Sequence, residues 1–306
     1  MRLRRPVFSH PALLYHDTDE YVSAILPFIT VGLAAGEPVA VAVPDHNGVL
    51  LRAALGRASE RVQWADMTVV GRNPGRIIPF VLRAFADRYT SRRVRIVGEP
   101  IWAGRSEEEY PACAQHEALI NLAFVGRAVT ILCPYDATRL PKDVLLDAEI
   151  THPVVTDGPT TRISAPYAPD AVVRKYNRAL AAAPAAGREV RLAGLPGARH
   201  QVTAQAAAAG FSAARTAEIA LVVTELLSNP IEHDRGVATL RTWFTGGVFH
   251  CEVENTGRLT DPLAGRIPAP VRQHRGRGLL LVNHFADLVR THTGDHGTTI
   301  RAYFYR

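Results

Sequence analysis

Between residues 19 and 149, short runs of buried-type residues alternate with segments of helical spacing. The runs fall at 38–44, with Val39, Val41 and Val43, then at 62–65, 94–98 and 128–133; the helical segments fall at 19–35, 50–57, 77–89 and 107–125. Strands joined by crossover helices lie parallel, and a parallel sheet has to be covered on both faces. The expectation is therefore an α/β domain. In such sheets ligands sit beyond the carboxyl ends of the strands. There the chain reads Pro44-Asp45-His46, Asp66-Met67, Gly98-Glu99-Pro100-Ile101-Trp102 and Cys133-Pro134-Tyr135-Asp136, aromatics and carboxylates where a blank loop would be small and polar. With the turn at 71–76, these ends supply the candidate ligand-binding residues Arg72, Asn73, Arg76, Glu99, Trp102, Tyr135 and Asp136. Arg72 and Arg76 suit a phosphate or carboxylate, or else a helix-start salt bridge. Trp102 and Tyr135 suit stacking on a ring, or else packing against the sheet edge.

A chain of 306 residues with 47% hydrophobic content suits two domains rather than one. No apolar run approaches a membrane span, and the basic start at residues 1–6 leads into no signal-type apolar core. Cys113, Cys133 and Cys251 are odd in number and lack metal spacing, which favours reduced thiols in a cytoplasm. The net charge of +6 is spread along the chain with no helix-turn-helix or zinc pattern, so direct nucleic-acid binding is not expected. Cys113, His116 and Glu117 share a helix face that could ligate a metal, although such polar triplets are common on solvated or interface faces.

The second half has a different grammar. After Ser212, a plausible N-cap, Ile219, Val222, Val223 and Leu226 form one helical stripe, while Glu225, Asn229 and His233 recur on another face of the same helix. A carboxylate and an amide oxygen are hard ligands of the kind Mg²⁺ accepts beside waters and phosphates. Next come Asn255-Thr256-Gly257, then Gly276-Arg277-Gly278 opening an apolar helix, whose free N–H groups suit a phosphate, then Gly297-Thr298-Thr299. In that order and spacing the four words resemble the ATP pocket of the GHKL superfamily, nearest to the short anti-sigma regulatory kinases.

The resemblance implies an α+β GHKL (Bergerat) sandwich in which Asn229 binds Mg²⁺ and Glu225 positions or activates the attacking group. Asn255, Gly257, Gly276, Gly278, Thr298 and Thr299 would complete the Mg-ATP site. It also exposes departures. The family's adenine-reading aspartate is Asn255, its second glycine is Leu259, and Pro230 follows Asn229. Asn offers one accepting oxygen beside a donating NH₂, so charge assistance is lost; proline in a helix removes a hydrogen bond, and the helix is expected to end early or bend there. Mg-ATP binding is expected to be weak. No phosphoacceptor histidine on a long hairpin precedes the domain.

In the first half, the strand-end words, with Gly71-Arg72-Asn73-Pro74-Gly75-Arg76, His116-Glu117-Ala118-Leu119-Ile120-Asn121 and Thr151-His152-Pro153, resemble the MEDS sensory domain, which is distantly similar to the RecA/KaiC-type fold. With 38–44 taken as the first strand, Pro44-Asp45-His46-Asn47-Gly48 occupies the place of a phosphate-binding loop and carries no Gly-Lys-Ser/Thr. The resemblance implies small-molecule binding without hydrolysis.

The expected organisation is a ligand-sensing domain at 1–154, a linker with a short helix at 155–186 and a kinase-like domain at 187–306. The expected function is cytoplasmic signalling. A small metabolite, with a nucleotide or nucleotide-sugar preferred over small apolar molecules, would be sensed by the first domain. The second, with an impaired ATP site, would regulate a sigma factor or its antagonist by contact. The alternative is an active Ser/Thr kinase of an antagonist protein, with Glu225 catalytic. No membrane partner is expected, and homodimerisation stays open.

Overall fold

The computed structural model describes residues 8–186, 188–233, 237–268 and 276–306, and for Arg188, Leu192 and residues 229–233 the backbone alone. The chain divides into two compact units, Met1–Tyr176 and Asn177–Arg306.

The first unit is built on a seven-stranded sheet. In chain order its elements are β1 (Pro11–Tyr15), α1 (Thr18–Ala34), β2 (Val39–Val43), α2 (Asp45–Leu55), β3 (Val62–Asp66), a helical stretch at 74–86, β4 (Val94–Gly98), α3 (Tyr110–Ala123), β5 (Val129–Asp136), α4 (Lys142–Thr151), β6 (Val154–Asp157), β7 (Thr160–Ile163) and α5 (Pro169–Tyr176). The strand order is β3-β2-β4-β5-β1-β6-β7, parallel throughout except for β7. Every residue of β2, Val-Ala-Val-Ala-Val, is buried, the pattern of a strand covered on both sides. On one face Tyr21, Ile25, Ile29 and Leu33 of α1 and Leu51 and Leu55 of α2 pack against Leu13, Val41, Val97 and Leu132. Asp17 starts α1 by accepting from the Glu20 N–H at 2.8 Å, an N-cap worth about 1 kcal/mol.

Three strands lie outside the alternation read from the sequence. β1 precedes the run at 38–44 and takes the central place between β5 and β6. The turn after the true first strand is therefore His16-Asp17-Thr18, not Pro44-Asp45-His46; it too lacks Gly-Lys-Ser/Thr. β6 and β7 occupy 154–163, and α5 packs on α3 through Val172 and Tyr176, so the segment read as a linker gives sheet and helix to the first unit.

The second unit carries β8 (Arg188–Arg191), α6 (Leu195–Ala208), α7 (Ala213–His233), β9 (Val237–Thr245), β10 (Val248–Asn255), α8 (Gly278–Phe285), β11 (Leu288–Gly294) and β12 (Gly297–Tyr305). Its antiparallel sheet runs β11-β12-β10-β9-β8. The stripe Ile219, Val222, Val223 and Leu226 packs with Phe249, Cys251, Val253, Ala302 and Phe304 into one core with Val202 and Val282. Pro230 does not end α7, which runs on to His233. The proline costs α7 the N–H bond that position 230 would donate to the Leu226 carbonyl, but Leu226 and Leu227 are anchored in the core just before it and hold the helix. Among the described residues no helix is long and apolar enough to cross a membrane.

Candidate functional site

In the first unit, four buried side chains converge where β1, β5, β6 and α3 meet. His10 immediately precedes β1, Cys133 lies on β5 opposite Ala12 in the register, His152 follows α4 just before β6, and Glu117 reaches in from α3. All four are at most 1% exposed. The Nε2 of His10 stands 3.3 Å from Cys133 Sγ and 3.5 Å from Glu117 Oε2, and the Nε2 of His152 stands 3.0 Å from the same Oε2. His116 Nε2 lies 3.8 Å from Glu117 Oε1. Short as these separations are, neither Glu117 oxygen nor His152 Nε2 makes a hydrogen bond of acceptable geometry.

The electrostatics follow from burial. Desolvation and the neighbouring His152 lower the His10 pKa to about 4, so its ring is neutral at pH 7. Burial alone would raise the Glu117 pKa, but the close approach of His10 and His152 outweighs it and holds the carboxyl well below its ordinary range. Burial and the charge of Glu117 push the Cys133 thiol up. A narrow crevice, too tight for a water molecule, adjoins the cluster; Met67, Ile77, Leu82, Ile120 and Ile131 form its apolar wall, and His116, Glu117 and Cys133 also line it.

A second polar centre lies at the strand ends. Glu99, 2% exposed beyond β4, accepts from Tyr15 and Asn47 at Oε1 (3.2 and 3.1 Å) and from Tyr21 and Asn47 at Oε2 (3.1 and 3.0 Å). Burial raises its pKa to about 7 despite these donors, with the charge of Asp136 adding to the rise.

In the second unit, β10 and β12 bring Asn255 opposite Thr298. Asn255 Oδ1 accepts from the Gly257 N–H at 2.9 Å; Thr298 Oγ1 donates to Gly257 O at 2.8 Å and accepts from the Leu259 N–H at 3.0 Å. The words at 255–259 and 297–299 are thus stapled into one corner.

Two comparisons match this division. Residues 9–153 fit the MEDS domain, the MEthanogen/methylotroph, DcmR Sensory domain, and residues 189–304 fit the histidine kinase-like ATPase domain. The chain carries a MEDS sensory domain followed by a histidine kinase-like ATPase domain. No curated protein matches it.

Within the MEDS domain the seven residues taken from the strand ends have separate placements. Asn73 is fully buried and caps the 74–86 stretch through the Gly75 N–H at 3.0 Å. Asp136 caps its own turn by accepting from Thr138 and Arg139. Trp102 is half-buried beneath the Arg105 guanidinium, 3.9 Å from its ring centre. Arg72 is exposed and Arg76 half-buried. Tyr135 is buried and packs edge-on against the His152 ring at 5.6 Å. The triplet Cys113, His116 and Glu117 is buried rather than solvated, and Glu117 meets His10, Cys133 and His152, a grouping that sequence reasoning missed.

In the ATPase domain, Glu225 is half-buried on α7, Gly278 opens α8, and Gly276 holds φ +88 just before it. Thr299 pairs with Glu254 across the sheet. The Asn229 side chain lies outside the described residues.

Proposed function

We propose that this is a signalling protein in which the MEDS domain binds a small molecule and the kinase-like domain regulates a protein partner by contact, without efficient phosphoryl transfer. The pairing of a sensory with a kinase-like ATPase domain supports the signalling role. The observation that carries the contact reading is Asn255, whose one accepting oxygen is engaged by Gly257 at the position where the family reads adenine. A sigma factor or its antagonist is the partner class that the anti-sigma likeness suggests. Three buried cysteines outside any disulfide suit a reducing cytoplasm.

For the sensed ligand, the small apolar molecule that competes with the nucleotide or nucleotide-sugar expected from the sequence gains support at the strand ends. Glu99 is saturated by Tyr15, Tyr21 and Asn47, and Asp136 is engaged in its own turn, so these two carboxylates are already occupied. An active Ser/Thr kinase is the second reading, supported by the retained Glu225 on α7.

Calorimetry with Mg-ATP separates the two. Loss of a charge-assisted acceptor costs roughly 1.5–3 kcal/mol, a ten- to hundredfold weakening. Asn255→Asp is expected to tighten ATP binding by that factor. Low-micromolar affinity in the unaltered protein, together with phosphate transfer to a captured partner that Glu225→Ala abolishes, would establish the kinase instead.

A further inference from the structure

We propose that His10, Glu117, Cys133 and His152 form a four-coordinate transition-metal centre of the Zn²⁺ class in the core of the MEDS domain. The candidate ligand atoms all lie within 4.8 Å of one another. A tetrahedral zinc with bonds of about 2.0–2.3 Å sets its ligand atoms roughly 3.3–3.6 Å apart. The separations of 3.3 and 3.5 Å found here match that size, and the 3.0 Å contact between His152 and Glu117 is a few tenths of an ångström shorter. An ordinary ion pair would close the 3.0 Å contact with a hydrogen bond; instead both oxygens of Glu117 and the Nε2 of His152 are left without one. Buried polar atoms in that state call for a further partner, and a metal cation satisfies the carboxylate oxygens and the imidazole lone pair together.

The surrounding shell prepares both imidazoles as ligands. His152 Nδ1 lies 2.8 Å from the Ala148 carbonyl, which can only accept, so the proton sits on Nδ1 and the Nε2 lone pair faces the cluster. His10 Nδ1 lies 3.3 Å from Asn121 Oδ1, and that amide is oriented by donating through Nδ2 to the Thr151 carbonyl at 2.8 Å. Both rings therefore offer Nε2 inward. Two nitrogens, a thiolate and a carboxylate select zinc-type ions over Mg²⁺ or Ca²⁺, which prefer all-oxygen shells. On binding, Cys133 releases its thiol proton to water, and the two anions Glu117 and Cys133 neutralise the dication, which a core at most 1% exposed favours. With four protein ligands the centre has no open position for activating water; it ties α3 and the start of β6 to β1 and β5.

The full chain, stripped with a chelator, is titrated with Zn²⁺ against a chromophoric competitor and with Co²⁺ followed by absorption. One equivalent per chain is expected, with the intense visible bands of tetrahedral cobalt and a thiolate-to-cobalt charge-transfer band. That band should persist in the Cys113→Ala/Cys251→Ala double variant, which leaves Cys133 as the last of the three cysteines, and vanish in Cys133→Ser. Asn121→Ala, which removes no ligand but frees the His10 ring, should weaken Zn²⁺ binding about 10–100-fold. Failure of the unaltered protein to take up either ion overturns the proposal, as does a cobalt spectrum without a thiolate band. If Cys133→Ser does not fold, the double variant decides: loss of its band places the metal elsewhere.

Discussion

Glu99 shows how one residue's surroundings set its behaviour. Removal from water raises its pKa from 4.5 to about 7, a rise that three neighbouring donors only partly offset. Between those values the folded state binds more protons than the unfolded one, so stability falls as pH rises through the window and levels off above about pH 7. At about 1.4 kcal/mol per unit, the penalty grows by roughly 2–3 kcal/mol between pH 5 and pH 8. Glu99→Gln removes the titration, so the variant should gain on the unaltered protein by about that amount over the interval, read by urea denaturation. An unchanged difference at the two pH values would show that this carboxyl does not titrate there.

Among the elements, the β10–β12 corner depends on a glycine. Gly297 sits at φ +127, and an added Cβ would fall 1.9 Å from the Asn255 carbonyl oxygen and 2.8 Å from Thr256 Cα, both rigid backbone. Gly297→Ala should therefore destabilise the second unit by about 2–4 kcal/mol and disrupt the turn that Thr298 holds; wild-type stability in denaturant would mean the corner can shift freely. The turn words at 255–257 and 297–299 were legible because each is local, and in the second Gly297 has a backbone task no other residue could fill. β2, β4 and β5 were legible for a similar reason, since their β-branched runs have no other use. β1 was not: Pro-Ala-Leu-Leu-Tyr carries no β-branched residue, and its strand character comes from lying between β5 and β6. β6 was hidden by Pro153 on one side and Gly158-Pro159 on the other, whose turn chemistry made the whole segment look like a linker. The His10, Glu117, Cys133 and His152 grouping had no spacing to read, because its members are brought together by sheet order. Three of them did lie in words that stood out singly: His116-Glu117, Cys133-Pro134 and Thr151-His152-Pro153.

At the scale of the whole molecule, each unit encloses its own core, one around Tyr21, Ile25 and Val41, the other around Val222, Leu226 and Phe249. All four candidate metal ligands belong to the first unit, while Asn255, Gly297 and Thr298 belong to the second. A ligand that binds only the folded state stabilises it by RT ln(1 + [L]/Kd), about 2.7 kcal/mol at a hundredfold excess over Kd. Effects at distant sites without shared partners add independently. Calorimetry of the full chain should therefore show two transitions: Zn²⁺ should raise one and leave the other in place, and Gly297→Ala should lower only the transition that Zn²⁺ does not move. A single transition displaced by both would show that the two cores unfold as one cooperative block, and the assignment of separate sensing and regulatory stabilities would fall with it.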